Sequence, residues 1–296
     1  MNIYVNGSII AEQEAVVSVY DHGFLYGMGL FETLRTYKGH PFLLGDHQER
    51  LLAGCRQLGI DYSPRPGEWE DLIRRLLESN GLENAYIRFT VTAGEDALGL
   101  PSGDYQSPHV IVYVKELPER NEDLYRRGKP LQLLETARNT PEGSVRFKSL
   151  HYMNNILAKR ELRQNARSAG AEGLQLDARG YLAEGIVSNL FFIRAGRLFT
   201  PSLDTGILPG ITRAFVLRLA AELDLPVEEG LYRWPELVQA DEAFVTNSIQ
   251  EIVPVTTLYD FQGTELSISG GQAGEWTRKL MGRYRSRAEI GNEGDR

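Results

Sequence analysis

The sequence predicts an α+β protein of two domains. Its 296 residues correspond to about two domains of ordinary size, each able to bury a core. Short stretches with strand-like alternation are interspersed with helical patterns in both halves of the chain. The charged segment KELPERNEDLYRRGK, which is poor in apolar residues, separates these halves. We therefore expect an N-terminal α/β domain over 1–117, a linker over 118–128 and a C-terminal α+β domain over 129–296.

The N-terminal domain begins with a predicted β-hairpin. Apolar and polar residues alternate over the first ten positions, and Asn6-Gly7 supplies the two positive-φ residues of a type I′ turn. Further along, Asp46 is placed to cap a helix with an apolar stripe. The other expected elements are strands over Leu30–Tyr37, Pro41–Leu44, Ala85–Ala93 and His109–Lys115, and a helix around Trp69–Ser79.

The C-terminal domain mixes helices with short strands joined by tight turns. Turns are expected at DARGY and RAGRL, and LPGITR leads into an apolar helix. The segment WTRKLMGRYRSR is typical of a basic helix that presents a solvated face or a subunit edge, and EIGNEGDR of a frayed tail. The remaining elements are strands near Leu131–Glu135 and Ala243–Thr246 and a helix over Tyr152–Ala169.

Composition excludes several classes of function. The formal net charge of -8 argues against electrostatic capture of nucleic acid or of an anionic membrane. One cysteine, Cys55, rules out an internal disulfide, and the five histidines include no HExxH spacing, so we expect no metal site. No apolar run reaches the roughly 18 to 20 residues of a membrane span. Because the start alternates where a signal peptide would be charged and then apolar, we expect a cytoplasmic protein.

Three distant segments carry residue types that suggest chemistry. Pro209-Gly210 precedes a helical pattern that opens with Ile211 and Thr212, and free N–H groups at a helix start bind phosphate. Asn247 and Ser248 end a strand-like run with polar side chains. Lys148 follows an apolar Phe147, and a desolvated lysine favours Schiff-base chemistry. Taken singly, these segments are equally typical of a capped helix, a polar turn and a surface lysine. Composition and spacing lead no further than a phosphate-bearing ligand and a lysine.

A resemblance to a known family extends this interpretation. The segments DHGFLYGMGLFETLR, RNTPEGSVRFKSLHYMNNILAKRE, YLAEGIVSNLFF, TPSLDTGILPGITR and VTNSIQEIVPV occur in this order. Together they resemble the fold-type IV pyridoxal-phosphate enzymes, most closely the branch of the 4-amino-4-deoxychorismate lyases. The resemblance runs from about residue 2 to residue 260. It implies a two-domain architecture like that of the D-amino-acid aminotransferases, with pyridoxal 5'-phosphate in the interdomain cleft.

The resemblance also assigns roles to individual residues. Lys148 matches the lysine that bonds to the cofactor, and Glu184 matches the carboxylate that pairs with the pyridine nitrogen. Arg50 matches the arginine that binds the phosphate through charge-assisted hydrogen bonds. The remaining phosphate positions are Ile211, Thr212, Asn247 and Ser248; the positions that border the substrate in relatives are Tyr26, Thr33, Arg35, Arg88 and Tyr152.

The reaction implied by the resemblance is elimination of pyruvate from 4-amino-4-deoxychorismate, which gives 4-aminobenzoate for folate synthesis. The alternative is a branched-chain or D-amino-acid aminotransferase of the same fold. The loop AGEDALGLPSGDYQS lacks the RxH pair of the D-amino-acid enzymes, which weighs against D-alanine as substrate. A non-catalytic binding protein on the same fold remains open, although Lys148, Glu184 and Arg50 argue against it. Relatives of this family are homodimers, so we expect a homodimer that acts on a small molecule.

Overall fold

The computed structural model describes residues 1–164, 166–167 and 169–290. Contacts between Cα atoms divide these residues into two compact units. The first unit contains Met1–Glu119, Phe147–His151 and, at the end of the described chain, residues 288–290. The second contains Arg120–Arg146 and Tyr152–Arg287. Both units mix helices with sheet, so the predicted α+β class is confirmed.

The first unit is built on an antiparallel sheet with helices on one face. Its strands are β1 (Asn2–Val5), β2 (Ser8–Ala11), β3 (Gly29–Tyr37), β4 (His40–Pro41), β5 (Ala85–Thr92) and β6 (His109–Glu116), in the order β2-β1-β6-β5-β3-β4. Its helices are α1 (His22–Tyr26), α2 (Leu44–Gln57) and α3 (Glu68–Asn80). The predicted hairpin is confirmed, because Asn6 and Gly7 have φ of 44° and 99° between the paired β1 and β2.

Alternation along β3 and β5 separates a buried face of this sheet from a more open one. Leu34, Ile87 and Phe89 are fully buried and belong to one apolar cluster with Trp69 and Leu76 of α3. Trp69 stacks on Phe89 with ring centroids 3.7 Å apart. The strand residues between them point to the opposite face, because side chains alternate along a strand.

The second unit contains the larger sheet. Its strands are β7 (Lys129–Leu133), β8 (Glu172–Leu176), β9 (Leu182–Gly185), β10 (Asn189–Arg194), β11 (Arg197–Pro201), β12 (Val227–Gly230), β13 (Glu242–Asn247), β14 (Glu251–Tyr259) and β15 (Glu265–Ser267). Its helices are α4 (Glu122–Arg127), α5 (Met153–Gln164), α6 (Ile211–Glu222), α7 (Trp234–Val238) and α8 (Glu275–Ile290). The strand order is β12-β11-β10-β13-β14-β7-β8-β9, with β15 on β14.

The larger sheet closes on itself. Strand β9 pairs with β8 and also returns to β10, where Glu184 lies opposite Asn189. The strands β10, β13, β14, β7, β8 and β9 therefore form a closed circuit. Leu131, Leu190, Phe192 and Leu258 are fully buried within the apolar cluster of this unit. Closure places the polar ends of β9, β10 and β13 beside one another.

The structure differs from the sequence-based boundaries in several places. The strand predicted over Pro41–Leu44 is limited to β4 at His40–Pro41, because Leu44 already belongs to α2. The predicted linker over 118–128 contains α4, which Asn121 caps by accepting a hydrogen bond from Leu124 N. Helix α2 begins at Leu44 after Leu43 in the left-handed region, so Asp46 lies in the first turn and is not the cap. The segment with Lys148, predicted for the C-terminal domain, groups with the first unit. The predicted tail begins at Glu289, and its residues from 291 onward lie outside the described residues.

No helix within the described ranges is both long enough and apolar enough to cross a membrane.

Candidate active site

The segment that carries Lys148 pairs with the start of β3. Phe31 N donates to Lys148 O at 2.9 Å, and Leu150 N donates to Gly29 O at 3.0 Å. The Lys148 Nζ lies 4.7 Å from the centroid of the Phe31 ring, and the residue is half-buried. Two backbone hydrogen bonds therefore fix the main chain at Lys148, and its amine lies beside the Phe31 ring.

A glycine beside this segment makes room for His151. Gly27 has φ of 70°, and a Cβ there would collide with the His151 ring. His151 Nε2 lies 2.9 Å from Tyr26 O, so its ring ties the lysine segment to the end of α1. Tyr152 belongs to the second unit, where its carbonyl oxygen accepts from Ile156 N at 3.0 Å, and its place beside the substrate stays a prediction.

Arg50, predicted to bind phosphate, lies on α2 and binds a buried carboxylate through two of its guanidinium nitrogens. Its Nε and Nη2 donate to Glu32 Oε1 and Oε2 at 2.7 Å and 2.6 Å. His47 Nδ1 lies 2.7 Å from Glu32 Oε2. Sequence reasoning missed Glu32, because nothing in the sequence shows that this strand residue is buried against two basic residues of α2. The carboxylate fixes the orientation of the Arg50 guanidinium, whose phosphate role stays a prediction.

The charge state of this cluster follows from its burial and partners. Burial alone raises the pKa of Glu32, but the Arg50 charge and the hydrogen bond from His47 outweigh it, and the pKa falls from 4.5 to about 2. Burial lowers the pKa of His47, against the opposing pull of Glu32. The Glu32 carboxyl is therefore ionised at neutral pH.

We expect Glu32 to make stability pH-dependent. A carboxyl whose pKa drops on folding from 4.5 to about 2 contributes about 3 kcal/mol above the unfolded value, and this contribution is lost as the pH falls from 4.5 towards 2. Glu32→Gln should lower the free energy of unfolding at neutral pH and flatten its decline in that window, as measured by urea titration. Glu49→Gln, an exposed change on the same helix as Arg50, is the control. An unchanged acid decline in Glu32→Gln would contradict this assignment.

The predicted substrate residues of β3 and β5 share one face of the sheet. Thr33 is paired directly with Arg88, and period-two alternation puts Arg35 on the same side, opposite to Glu32. The Arg88 Cζ lies 3.6 Å from the Phe31 ring centroid. Tyr26 is at the end of α1, where its hydroxyl accepts from Gly99 N at 2.9 Å. This face presents two guanidinium groups and a hydroxyl beside the ring that Lys148 also contacts.

In the second unit, Glu184 is a buried carboxylate that accepts hydrogen bonds from three protein donors. Its Oε1 accepts from Arg138 Nε at 2.8 Å, and its Oε2 accepts from Asn189 Nδ2 at 3.2 Å and Leu208 N at 3.0 Å. The Glu184 side chain is 6% exposed and that of Arg138 7%. A carboxylate accepts about four hydrogen bonds, so three protein donors leave room for one more.

Arg138 is a second residue that sequence reasoning missed. It stands in the quoted RNTPEGS segment, and its Nη1 donates to Asn154 Oδ1 at 2.7 Å and to Asn155 Oδ1 at 3.4 Å. Asn155 Nδ2 in turn donates to Ile186 O at 2.6 Å. Two asparagines of helix α5 thus orient Arg138, which in turn binds Glu184. A lone arginine in an irregular segment carries no sequence signal of this connection.

The predicted phosphate residues gather at the start of α6. Ile211 and Thr212 open the helix, and the Thr212 hydroxyl lies 3.5 Å from that of Ser248. Gly210 precedes the helix without a side-chain cap, and a Cβ there would collide with Asn189 Oδ1. Free N–H groups at a helix start bind anions.

Asn247 has a different part from the other predicted phosphate residues. Its Oδ1 accepts from Ile249 N at 3.0 Å and from Gln250 N at 2.7 Å, so it closes the turn after β13. The amide oxygen therefore serves the backbone, and only the Nδ2 group could face a ligand. Its neighbour Thr246, in the same polar strand end, is 2% exposed, and among the described residues its Oγ1 has no hydrogen-bond partner.

The register of the closed sheet aligns the carboxylate with the phosphate residues. Glu184, Asn189 and Thr246 are directly paired across β9, β10 and β13, so their side chains share one face in a single row. The row begins at a carboxylate with capacity for one more donor and ends at a buried hydroxyl with an unused hydrogen bond. Residues of this kind fit a flat cofactor with a ring nitrogen and a phosphate, such as pyridoxal 5'-phosphate. Within the described ranges there is no cluster of three or more His, Cys, Asp and Glu side chains able to hold a metal ion.

Comparisons with known proteins agree with this geometry. Residues 29–258 match the family model described as amino-transferase class IV. The chain is 42% identical to the aminodeoxychorismate lyase of Bacillus subtilis strain 168, over 98% of this chain and 95% of the relative. A Methanocaldococcus jannaschii protein, provisionally named a branched-chain-amino-acid aminotransferase, is 37% identical over 96% of each chain. A structure of 4-amino-4-deoxychorismate lyase from Pseudomonas aeruginosa superposes with a TM-score of 0.82 at 32% identity, over 96% of this chain and 98% of the other.

Proposed function

The chain belongs to the amino-transferase class IV family, and on that basis we propose that it is a 4-amino-4-deoxychorismate lyase that releases pyruvate and 4-aminobenzoate for folate synthesis. Enzymes of this family depend on pyridoxal 5'-phosphate, and this chain is such an enzyme. The observation that carries the proposal is the 42% identity to the Bacillus subtilis lyase, which exceeds the 37% identity to the Methanocaldococcus jannaschii relative while both cover nearly the whole chain.

We propose a role at the cofactor for each of the predicted residues. Lys148 would bond to the cofactor, and Arg50 would bind its phosphate with the guanidinium oriented by Glu32. Glu184 would take up its fourth hydrogen bond from the ring nitrogen, and its negative charge would keep that nitrogen protonated. The N–H groups of Ile211 and Thr212 with the hydroxyls of Thr212 and Ser248 would complete the phosphate site. When bound, the cofactor accepts electron density from the substrate carbon that bears nitrogen.

Lys148 is the proposed proton carrier of the reaction. Once the amine of the substrate has taken its place on the cofactor, the freed Lys148 amine would take the proton from the carbon that bears nitrogen. Its Nζ lies 4.7 Å from the centroid of the Phe31 ring. The departing enolpyruvyl group needs a proton, for which Lys148 as an ammonium and Thr33 are the proposed donors. The substrate carries two carboxylates, and Arg35 and Arg88 on the face of Thr33 are their proposed partners.

The first experiment compares the two reactions of this family. Enzymatically generated aminodeoxychorismate is supplied to the cofactor-loaded protein, and 4-aminobenzoate is followed by its fluorescence. A parallel assay supplies a branched-chain amino acid with 2-oxoglutarate and follows glutamate. We expect efficient release of 4-aminobenzoate with negligible glutamate. Glutamate without 4-aminobenzoate would contradict the lyase and establish the aminotransferase alternative.

We propose that the protein is a homodimer. Helix α5 exposes Met153, Ile156 and Leu157 at 74%, 62% and 48%, spaced to form one apolar stripe on its surface. In the first unit, Phe24 and Leu100 are 68% and 92% exposed. A second copy of the chain would cover such surfaces. Light scattering that gives the mass of a monomer at micromolar concentration would contradict this proposal.

We also propose a cytoplasmic location. Cys55 is the one cysteine of the chain and is a buried free thiol, which suits a reducing compartment. Recovery of the native protein from an extracellular fraction of its source cells would contradict this location.

A further inference from the structure

The basic side chains of helix α8 fall into two groups, those that form an ion pair with a carboxylate and those that do not. Lys279 is bound to Glu275 at 2.7 Å, and Arg283 and Arg287 are bound to Glu222 at 2.8 Å and 2.9 Å. In the part of the chain that the structure describes, Arg278 and Arg285 form no ion pair with a carboxylate. Three cations therefore have local counterions in direct contact, and two do not.

Both of these arginines line one cavity of about 290 Å³ in the second unit. The opposite wall is α4, which contributes Tyr125 and Arg126. Met281 and Ala273 add apolar surface. The cavity is thus lined by three guanidinium groups, an aromatic ring and apolar side chains.

Arg285 has an unused hydrogen bond at this cavity. Its Nε is buried, and among the described residues it has no partner. Its Cζ lies 5.6 Å from the centroid of the Tyr125 ring. A buried charged donor without an acceptor destabilises the protein, so an acceptor from outside the chain would satisfy it.

The acidic residues of this surface are bound by other cations. Glu122, which also lines the cavity, accepts from Arg120 Nε at 2.8 Å. Asp123 binds Arg126 at 2.5 Å. Because Glu122 and Arg126 are each in an ion pair, Arg278 and Arg285 make the lining positive in a chain whose net charge is -8. Such a local excess of one charge in a cleft concentrates ligands of the opposite sign.

A glycine keeps the space between the two arginines open. Arg278, Gly282 and Arg285 are spaced i, i+4 and i+7, so they lie along one face of α8. Apart from the neighbouring backbone of α8 itself, no heavy atom of the described residues lies within 4 Å of the position that a Cβ of Gly282 would occupy. A longer side chain there would point into the cavity.

We propose that this cavity is a binding site for a small phosphate-bearing anion. The fork of a guanidinium matches two phosphate oxygens, and charge-assisted bonds of this kind are about twice as strong as neutral ones. Along a helix, seven residues span about 10 Å, so Arg278 and Arg285 can reach two anionic groups of one ligand from opposite sides. The site is independent of the proposed lyase reaction.

The test measures pyrophosphate binding to the cofactor-loaded protein by isothermal titration calorimetry. Loading first fills the site for the cofactor's own phosphate. We expect a Kd below about 1 mM for the unmodified protein and a loss of at least about tenfold in Arg285→Gln and Arg278→Gln. Arg287→Gln removes the same charge from the same helix away from the cavity and should bind as the unmodified protein does.

Gly282→Leu tests the cavity without touching a charge. Leucine favours the helix over glycine, so the variant should fold, which an unchanged thermal midpoint and cofactor absorbance would verify. It should lose pyrophosphate binding at least about tenfold because its side chain fills the space. The proposal is overturned if the unmodified protein fails to bind millimolar pyrophosphate, or if both Arg285→Gln and Gly282→Leu bind normally. Equal affinity for succinate would overturn the assignment to phosphate.

Discussion

Replacing Lys148 by alanine is expected to abolish both turnover and covalent attachment of the cofactor. The Nζ has two proposed tasks, bonding to the cofactor and moving the proton of the substrate, and it stands against the Phe31 ring on the face that carries the proposed substrate residues. General acid-base catalysis alone contributes about 10²–10⁴-fold, so a loss of at least about 10³-fold in kcat is expected. Absorbance of the protein-bound cofactor before and after dialysis, with 4-aminobenzoate release, measures both effects.

Controls separate this loss from unfolding. The main-chain hydrogen bonds of Lys148 and Leu150 with β3 do not involve the amine, so Lys148→Ala should unfold at nearly the same urea concentration as the unmodified protein. Lys159→Ala removes an exposed lysine from α5 and should leave absorbance and turnover unchanged. Turnover and a bound absorbance band that persist in Lys148→Ala would refute its assignment.

Sequence patterns were sufficient for several local elements. The Asn6-Gly7 hairpin and the start of α6 at Ile211 follow from turn and helix chemistry that lies within a few residues. The lysine segment does not, because its place beside β3 depends on hydrogen bonds to Gly29 and Phe31, more than a hundred residues away.

The supporting residues are those that sequence alone missed. Glu32 is a strand residue that would be expected in solvent, and only its burial against Arg50 and His47 reveals its part. Arg138 reaches Glu184 across 46 positions of sequence. The Oδ1 of Asn247 closes a turn, because an asparagine side chain competes for nearby backbone N–H groups, and the predicted phosphate role of this residue stays a prediction. Residue type indicates which bonds a side chain can make, and tertiary structure decides which it makes.

A second large effect is expected on replacing Glu184, where two variants should differ in stability but lose catalytic activity alike. Glu184→Ala leaves the Arg138 charge buried without its partner and Leu208 N without its acceptor. Removing one member of a buried ion pair costs about 3–5 kcal/mol. Glu184→Gln keeps the shape and one acceptor oxygen, so its cost should be nearer the about 1–3 kcal/mol of an unsatisfied polar group. Urea unfolding of the two variants should therefore rank alanine as the less stable.

The kcat of the variants should depend on the presence of the Glu184 negative charge and not on their free energy of unfolding. Both variants lose the carboxylate proposed to keep the ring nitrogen protonated, and loss of such an electrostatic contact lowers kcat by about 10²–10³-fold. Combining Glu184→Ala with Arg138→Ala removes the stranded charge, so the double variant should be more stable than the sum of the two single losses predicts. The double variant should regain no activity, because it still lacks the carboxylate proposed to keep the ring nitrogen protonated. Normal turnover in folded Glu184→Gln would show that the carboxylate only holds Arg138 in place.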